Sequence, residues 1–186
     1  MSLYSALANL IEYPRADFLI YVDQCLVLSS GEIQTLLQAF RRQVGQVGVP
    51  RLQELYIDTF DLQAETSPYV GHHLFGEDTR RNLFMAMLRE RYRQSGLTDT
   101  VELPDHLANV LRFLALTGAD EERAELVHHC LIPALQHLLR ALKPDNPYAS
   151  LSQALLLAWR QEDNYRLHDR EIAWIPFSSL SSPTSR

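Results

Sequence analysis

Residues 77–96 read EDTRRNLFMAMLRERYRQSG, and the reading of that stretch decides what kind of chain this is. Thr79-Arg80-Arg81-Asn82-Leu83-Phe84 has the outline of a twin-arginine export signal, Ser/Thr-Arg-Arg-x followed by two apolar residues. Such a leader works at an N-terminus, ahead of an apolar run, and this one lies well inside the chain. A helix accounts for the pattern instead. Glu77 and Asp78 place acid at its start, Leu83, Phe84, Met87, Leu88 and Tyr92 recur at the spacing of one apolar face, and Gly96 stands where a helix closes. Arg80 and Arg81 then fall on a solvated face with carboxylate neighbours from their own helix.

The same three-and-four rhythm runs outward in both directions. Leu3, Leu7, Leu10 and Ile11 predict a first helix stopped by Tyr13-Pro14, and an apolar segment over 17–28 is broken at Ser30-Gly31. Ile33, Leu36, Leu37, Phe40 and Val44 then repeat up to the break at Gly45–Pro50, which makes a helical hairpin. Leu52, Leu55, Tyr56, Thr59 and Phe60 share a stripe that predicts a helix to about Asp61, followed by a loop through Ser67-Pro68-Tyr69 in which His72 and His73 serve as hydrogen-bonding groups. Pro104 suits a first helical turn, with Asp105 and His106 exposed in it and Leu107, Val110, Leu111 and Leu114 buried behind. A long helix over 120–142, kinked at Pro133, and another over 149–160 complete the series. No segment alternates at period two, so the expectation is an all-α, single-domain helical bundle over 1–177 with a loose polar tail at 178–186.

Composition excludes several classes of function. Seventeen basic against twenty-three acidic side chains leave a net charge of −6, which opposes nucleic acid and anionic membranes and favours a cationic partner. Cys25 and Cys130 make no C-x-x-C pair, and no segment reaches the roughly 18 apolar residues of a spanning helix. The expectation is therefore a cytoplasmic chain without stable membrane insertion. Phosphate-cradling glycine loops and the serine-hydrolase elbow are missing.

Histidine offers the remaining route to catalysis. His72, His73, Asp105-His106, His128-His129 with Cys130, His137 and His168-Asp169 suggest an all-helical metal-dependent phosphohydrolase as one alternative. After Asp169, however, only Glu171 remains as a late ligand. Cys130 reads as a buried thiol beside a surface His137, and Met85 or Met87 as core filling. A generic helical adaptor is the other alternative.

One ordered series of short motifs is more specific. Tyr56-x-x-Thr59-Phe60-Asp61, Ser67, His73-Leu74-Phe75-Gly76-Glu77, Arg81, Met85, Leu88, Tyr92, Gly96 and Glu102-Leu103-Pro104-Asp105-His106-Leu107 together resemble the nitrate reductase molybdenum cofactor assembly chaperones, the delta-subunit family. The match covers roughly 52–116. Leu10-Ile11-Glu12-Tyr13-Pro14 is similar to that family's start, and the related TorD and DmsD chaperones share the Asp-His pair. Asn82 stands where members commonly have glycine, and no motif is matched beyond about residue 120.

The resemblance implies a TorD-like all-α fold, no catalysis and no cofactor held by the chain itself. Its implied partner is the N-terminal leader peptide of a molybdopterin oxidoreductase catalytic subunit, with cofactor-biosynthesis proteins as further partners. The twin-arginine-like segment then belongs to the client, and only Arg81 of this chain's pair falls on a family position. Carried over by motif, Asp105 is implied as a carboxylate for a leader arginine, such that Asp105→Ala weakens binding and leaves the fold intact. His106 is implied as its hydrogen-bonding or pH-sensitive neighbour, His73 as a further contact, and Tyr56, Phe60, Tyr69 and Leu107 as a groove wall.

Overall fold

A computed structural model describes residues 2–167 except Asp99 and Ala119, and of 163–167 only the backbone course. Thus the tail at 178–186 and the possible ligands His168, Asp169 and Glu171 lie outside the described residues. Helices follow one another as α1 (Leu3–Ala8), α2 (Phe18–Val27), α3 (Gly31–Val44), α4 (Val49–Tyr56), α5 (Val70–Phe75), α6 (Thr79–Ser95), α7 (Leu107–Leu116), α8 (Glu121–Leu126), α9 (Ile132–Ala141) and α10 (Pro147–Leu167). No strand forms among the described residues. Their only β feature is an isolated antiparallel bridge between Tyr69 and His106.

The spine is α10 packed along α3, with α2 also against α3, α1 against α7, and α5 in contact with both α6 and α9. Apolar stripes dictate this. Leu37, Phe40 and Val44 of α3 and Leu151, Leu155 and Trp159 of α10 are buried in one continuous core. Each such side chain contributes about 1.5–3 kcal/mol on leaving water.

The central stretch forms the expected helix. Asp78 caps it by accepting from the Arg80 amide at 2.8 Å. Its end is closed by Gly96, at φ +80°, whose amide donates to the Arg93 carbonyl while that of Leu97 donates to Tyr92. The buried stripe is narrower than the sequence suggests: Phe84, Leu88 and Tyr92, spaced by four, face the core, whereas Leu83 is 71% exposed.

Two helices carry π turns. The α4 helix continues through a π turn at Ile57–Asp61, where Leu62 donates to Ile57, so the helical run ends where the stripe predicted. The long helix over 120–142 is interrupted by a π turn at Val127–Leu131, just ahead of Pro133. Ile132 donates five residues back to Val127. Pro133 has no amide to offer and its ring crowds the carbonyl four residues earlier, and the wider π register relieves both.

The α5 helix departs from the expected loop. Six residues are too few to sustain a helix alone, and tertiary contacts hold this one. Among the described residues, no helix is long and apolar enough to cross a membrane.

Candidate functional site

The Glu102–Leu107 motif becomes a knot tying three elements together. The Val70 amide donates to the Asp105 carbonyl and the Leu107 amide to the Pro68 carbonyl, each at 2.8 Å, clasping the entrance of α5 to that of α7. Tyr92 of α6 donates its hydroxyl to the Pro104 carbonyl at 2.7 Å, and Asn109 donates to the carbonyls of Glu102 and Leu103.

Two expectations for this turn are corrected here. The α7 helix starts at Leu107 rather than at Pro104, and Asp105 and His106 are not exposed, retaining 0% and 2% of their accessible surface. The Asp105 carboxylate is already engaged. Its Oδ2 accepts from Arg81 Nε at 2.8 Å, Arg81 being only 16% exposed, while Oδ1 is buried and has no partner among the described residues. Arg81 therefore leaves the solvated face assigned to it. Arg80 does stay exposed, paired with Asp78 at 3.2 Å and lying over the Phe75 ring.

His106 is the N-cap of α7: its Nδ1 accepts from the Ala108 amide at 3.2 Å, which fixes the neutral ring with its proton on Nε2. Burial pushes its pKa below the ordinary 6.5, against the opposing pull of Glu102, Glu12 and Asp105. His73 sits on α5 rather than in a loop, with Nε2 2.7 Å from the Ser67 carbonyl. Burial lowers its pKa too.

The other candidates divide. Tyr56 and Phe60 are core, packed edge-on with each other and with Tyr148, and the Tyr56 hydroxyl donates to the Ile11 carbonyl at 3.2 Å. Tyr69 is half-buried, its ring 5.5 Å from the Arg81 guanidinium and 5.2 Å from the His106 ring, and its hydroxyl donates to Glu102 Oε2 at 2.9 Å. Burial and then that carboxylate push the Tyr69 phenol up to about 12.

Leu107 and His73 meet in an apolar crevice with Ser67, Val70, Leu131 and Leu135, but its free volume is about 10 Å³, no more than one water needs. A guest has no ready-made space there. Next to the knot, a larger cleft of about 460 Å³ lies between the C-terminal half of α6 and the loop leading to Pro104, with Arg89, Thr98 and Glu102 among its walls.

The surface around the knot gathers residues from motifs far apart in the chain. Glu12, Asp61 and Glu102 all act on Tyr56, and Tyr69 stands with them. Burial, with Glu102 as the second cause, raises the Asp61 carboxyl. Tyr13 is exposed and meets Tyr56 edge-on at 5.7 Å. Glu102, held by the Tyr69 hydroxyl, and the exposed Asp61 thus put acid beside aromatic faces at the knot, whereas Glu12 is already paired with Arg112 at 2.7 Å. Glu102 and Asp61 belong to separate sequence motifs, and folding brings them within electrostatic reach across 41 positions of chain. Among the described residues no group of three or more His, Cys, Asp or Glu is placed to hold a metal ion.

An all-α single domain whose signature motif forms a buried Asp–Arg–His knot beneath an acidic, aromatic rim has the form of a TorD-like chaperone. Comparison with known proteins agrees. A family model described as nitrate reductase delta subunit matches residues 28–160. The chain is also 32% identical over 161 residues, 83% of its own length and 86% of the relative's, to the probable nitrate reductase molybdenum cofactor assembly chaperone NarJ of Bacillus subtilis (strain 168). The chain belongs to the nitrate reductase delta-subunit family of molybdenum cofactor assembly chaperones, and is a chaperone rather than an enzyme. The match extends past residue 120, where no motif was recognised.

Proposed function

We propose that this chaperone works in the cytoplasm on the catalytic subunit of a molybdenum-containing nitrate reductase, binding its N-terminal leader while the molybdenum cofactor is inserted. The observation that supports the reading best is the exposed pair of carboxylates Asp61 and Glu102, the latter bonded to Tyr69, which stands between Pro68 and Val70 of the apolar crevice, on a chain of net charge −6. A basic, amphipathic leader matches that order: arginines against the carboxylates, apolar side chains beyond them.

Three or four apolar anchors at about 1.5–3 kcal/mol each outweigh an ordering cost of about 2–5 kcal/mol, which gives useful and reversible affinity. Asp105, with its charge already neutralised by Arg81, supports this surface from below rather than offering a free carboxylate. The test is calorimetry with a synthetic peptide copying the leader of the nitrate reductase catalytic subunit from the same genome. Glu102→Gln with Asp61→Asn is expected to weaken binding by about tenfold and to flatten its dependence on salt. Equal affinity and salt dependence for wild type and variant would remove the rim from the site.

A further inference from the structure

The proposed leader needs an apolar seat, and the described surface offers only a closed seam. We infer that the seat is the channel floored by Leu107 of α7 and by Leu131, Ala134, Leu135 and Leu138 leading into and along α9, and that α5 is its present occupant, swinging out on Gly76 when the leader enters. This inference rests on the leader-binding reading above and names where, and by what exchange, that binding occurs.

Four observations lead to it. The floor residues repeat at i, i+3, i+4 and i+7 and are buried under α5, which is the row one helix presents to another. The α5 segment that covers them buries little apolar surface of its own. At six residues it is about 9 Å long against a row of roughly 10 Å, and Val70 is its only fully buried apolar side chain, Leu74 and Phe75 being partly buried.

The seam between cover and floor is imperfectly closed: the crevice runs along it, and Ser67 Oγ is buried there without a partner among the described residues. Finally, the cover is hinged. Gly76 has φ +59° and ψ −134° with open space where a Cβ would lie, a conformation held at little cost only by glycine. At its other end α5 has no side-chain cap; it is held by the two bridge hydrogen bonds, by the His73–Ser67 contact, by Phe75 against Phe84 and Arg80, and by the close approach of Gly71 to Asp105 and Arg81.

Charge fixes the direction of the guest. Glu102 is bonded to Tyr69 between Pro68 and Val70, at the Leu107 end of the channel, so a leader with arginines ahead of its apolar run places them at the α7 end and its apolar face along α9. The leader then replaces a short amphipathic turn of this chain with a longer one of its own.

The experiment combines hydrogen exchange and calorimetry on the full chain with the same leader peptide. On adding the peptide, the amides of Val70, Gly76 and Leu107 are expected to exchange about tenfold faster, while those of α3 and α10 stay protected. Gly76→Ala strains the closed state and not the open one, so it is expected to bind the peptide at least about fivefold tighter. Binding with unchanged or slower exchange at those three amides, or Gly76→Ala binding no tighter than wild type, overturns this proposal and leaves the leader reading standing. Absence of binding by the wild-type chain overturns both.

Discussion

Asp105 shows how burial changes the meaning of a charged residue. A carboxylate with no accessible surface is stable only with a partner, and Arg81, itself mostly covered, is that partner. Removing one member of a buried pair leaves the other uncompensated, which costs more than the pair is worth. Asp105→Ala is therefore expected to destabilise the fold by about 3 kcal/mol, read from urea denaturation, in place of the silent substitution that the motif implied. Arg81→Met combined with Asp105→Leu should recover most of the loss, and a double variant as unstable as Asp105→Ala alone would mean that the pair does more than neutralise charge.

Histidine supplies the pH dependence at the same scale. His106 and His73 both titrate below the ordinary 6.5 because they are buried. Below that value the unfolded chain takes up protons that the folded chain refuses, so stability is fully present above about pH 6.5 and falls as pH drops toward the folded values. Asparagine at position 106 keeps an acceptor for the Ala108 amide and loses the titration. The melting temperature of His106→Asn is expected to decline less steeply than that of wild type on acidification, and parallel declines would assign the effect elsewhere.

At the scale of elements, α6 gives the sharpest contrast between two leucines that the sequence treats alike. Leu88 is fully buried on the Phe84–Leu88–Tyr92 row, and Leu83 points to solvent. Leu88→Ala is expected to cost about 2–5 kcal/mol and Leu83→Gln less than about 0.5 kcal/mol, both measured by denaturant midpoint. The boundaries of α3, α6 and the helix ending at Asp61 were legible because periodicity, caps and breakers agree there. The α5 helix was not, since Val-Gly-His-His-Leu-Phe carries too few apolar repeats to signal a helix and is folded by what it touches. Nor was the α7 start: Pro104 suggested the first turn, whereas an imidazole supplies the cap two residues later. The Arg81–Asp105 pair spans 24 positions and no local pattern announces it.

For the whole molecule, helical class followed from repeated apolar stripes, but their closure into one body depends on contacts between distant parts of the chain. A polar one joins α1, α8 and α10. Arg123, nearly buried, donates to Glu162 Oε1 at 2.5 Å and Oε2 at 3.1 Å and to the carbonyls of Leu114 and Thr117, while the Tyr4 hydroxyl donates to Glu162 Oε2 at 2.6 Å. The guanidinium also lies over the Tyr4 ring at 5.3 Å.

The apolar core, rather than this knot, makes α1 and α10 one cooperative unit, because Leu7 of α1 and Trp159 of α10 belong to the same buried cluster. Arg123→Leu is expected to lower stability by about 1–3 kcal/mol, since it takes the guanidinium from Glu162, which keeps the Tyr4 hydroxyl, and from the carbonyls of Leu114 and Thr117, yet to preserve a single transition seen alike by near- and far-ultraviolet circular dichroism. Two separated transitions in the variant would show instead that α1 and α10 unfold independently and that Arg123, rather than the shared apolar core, is what couples them.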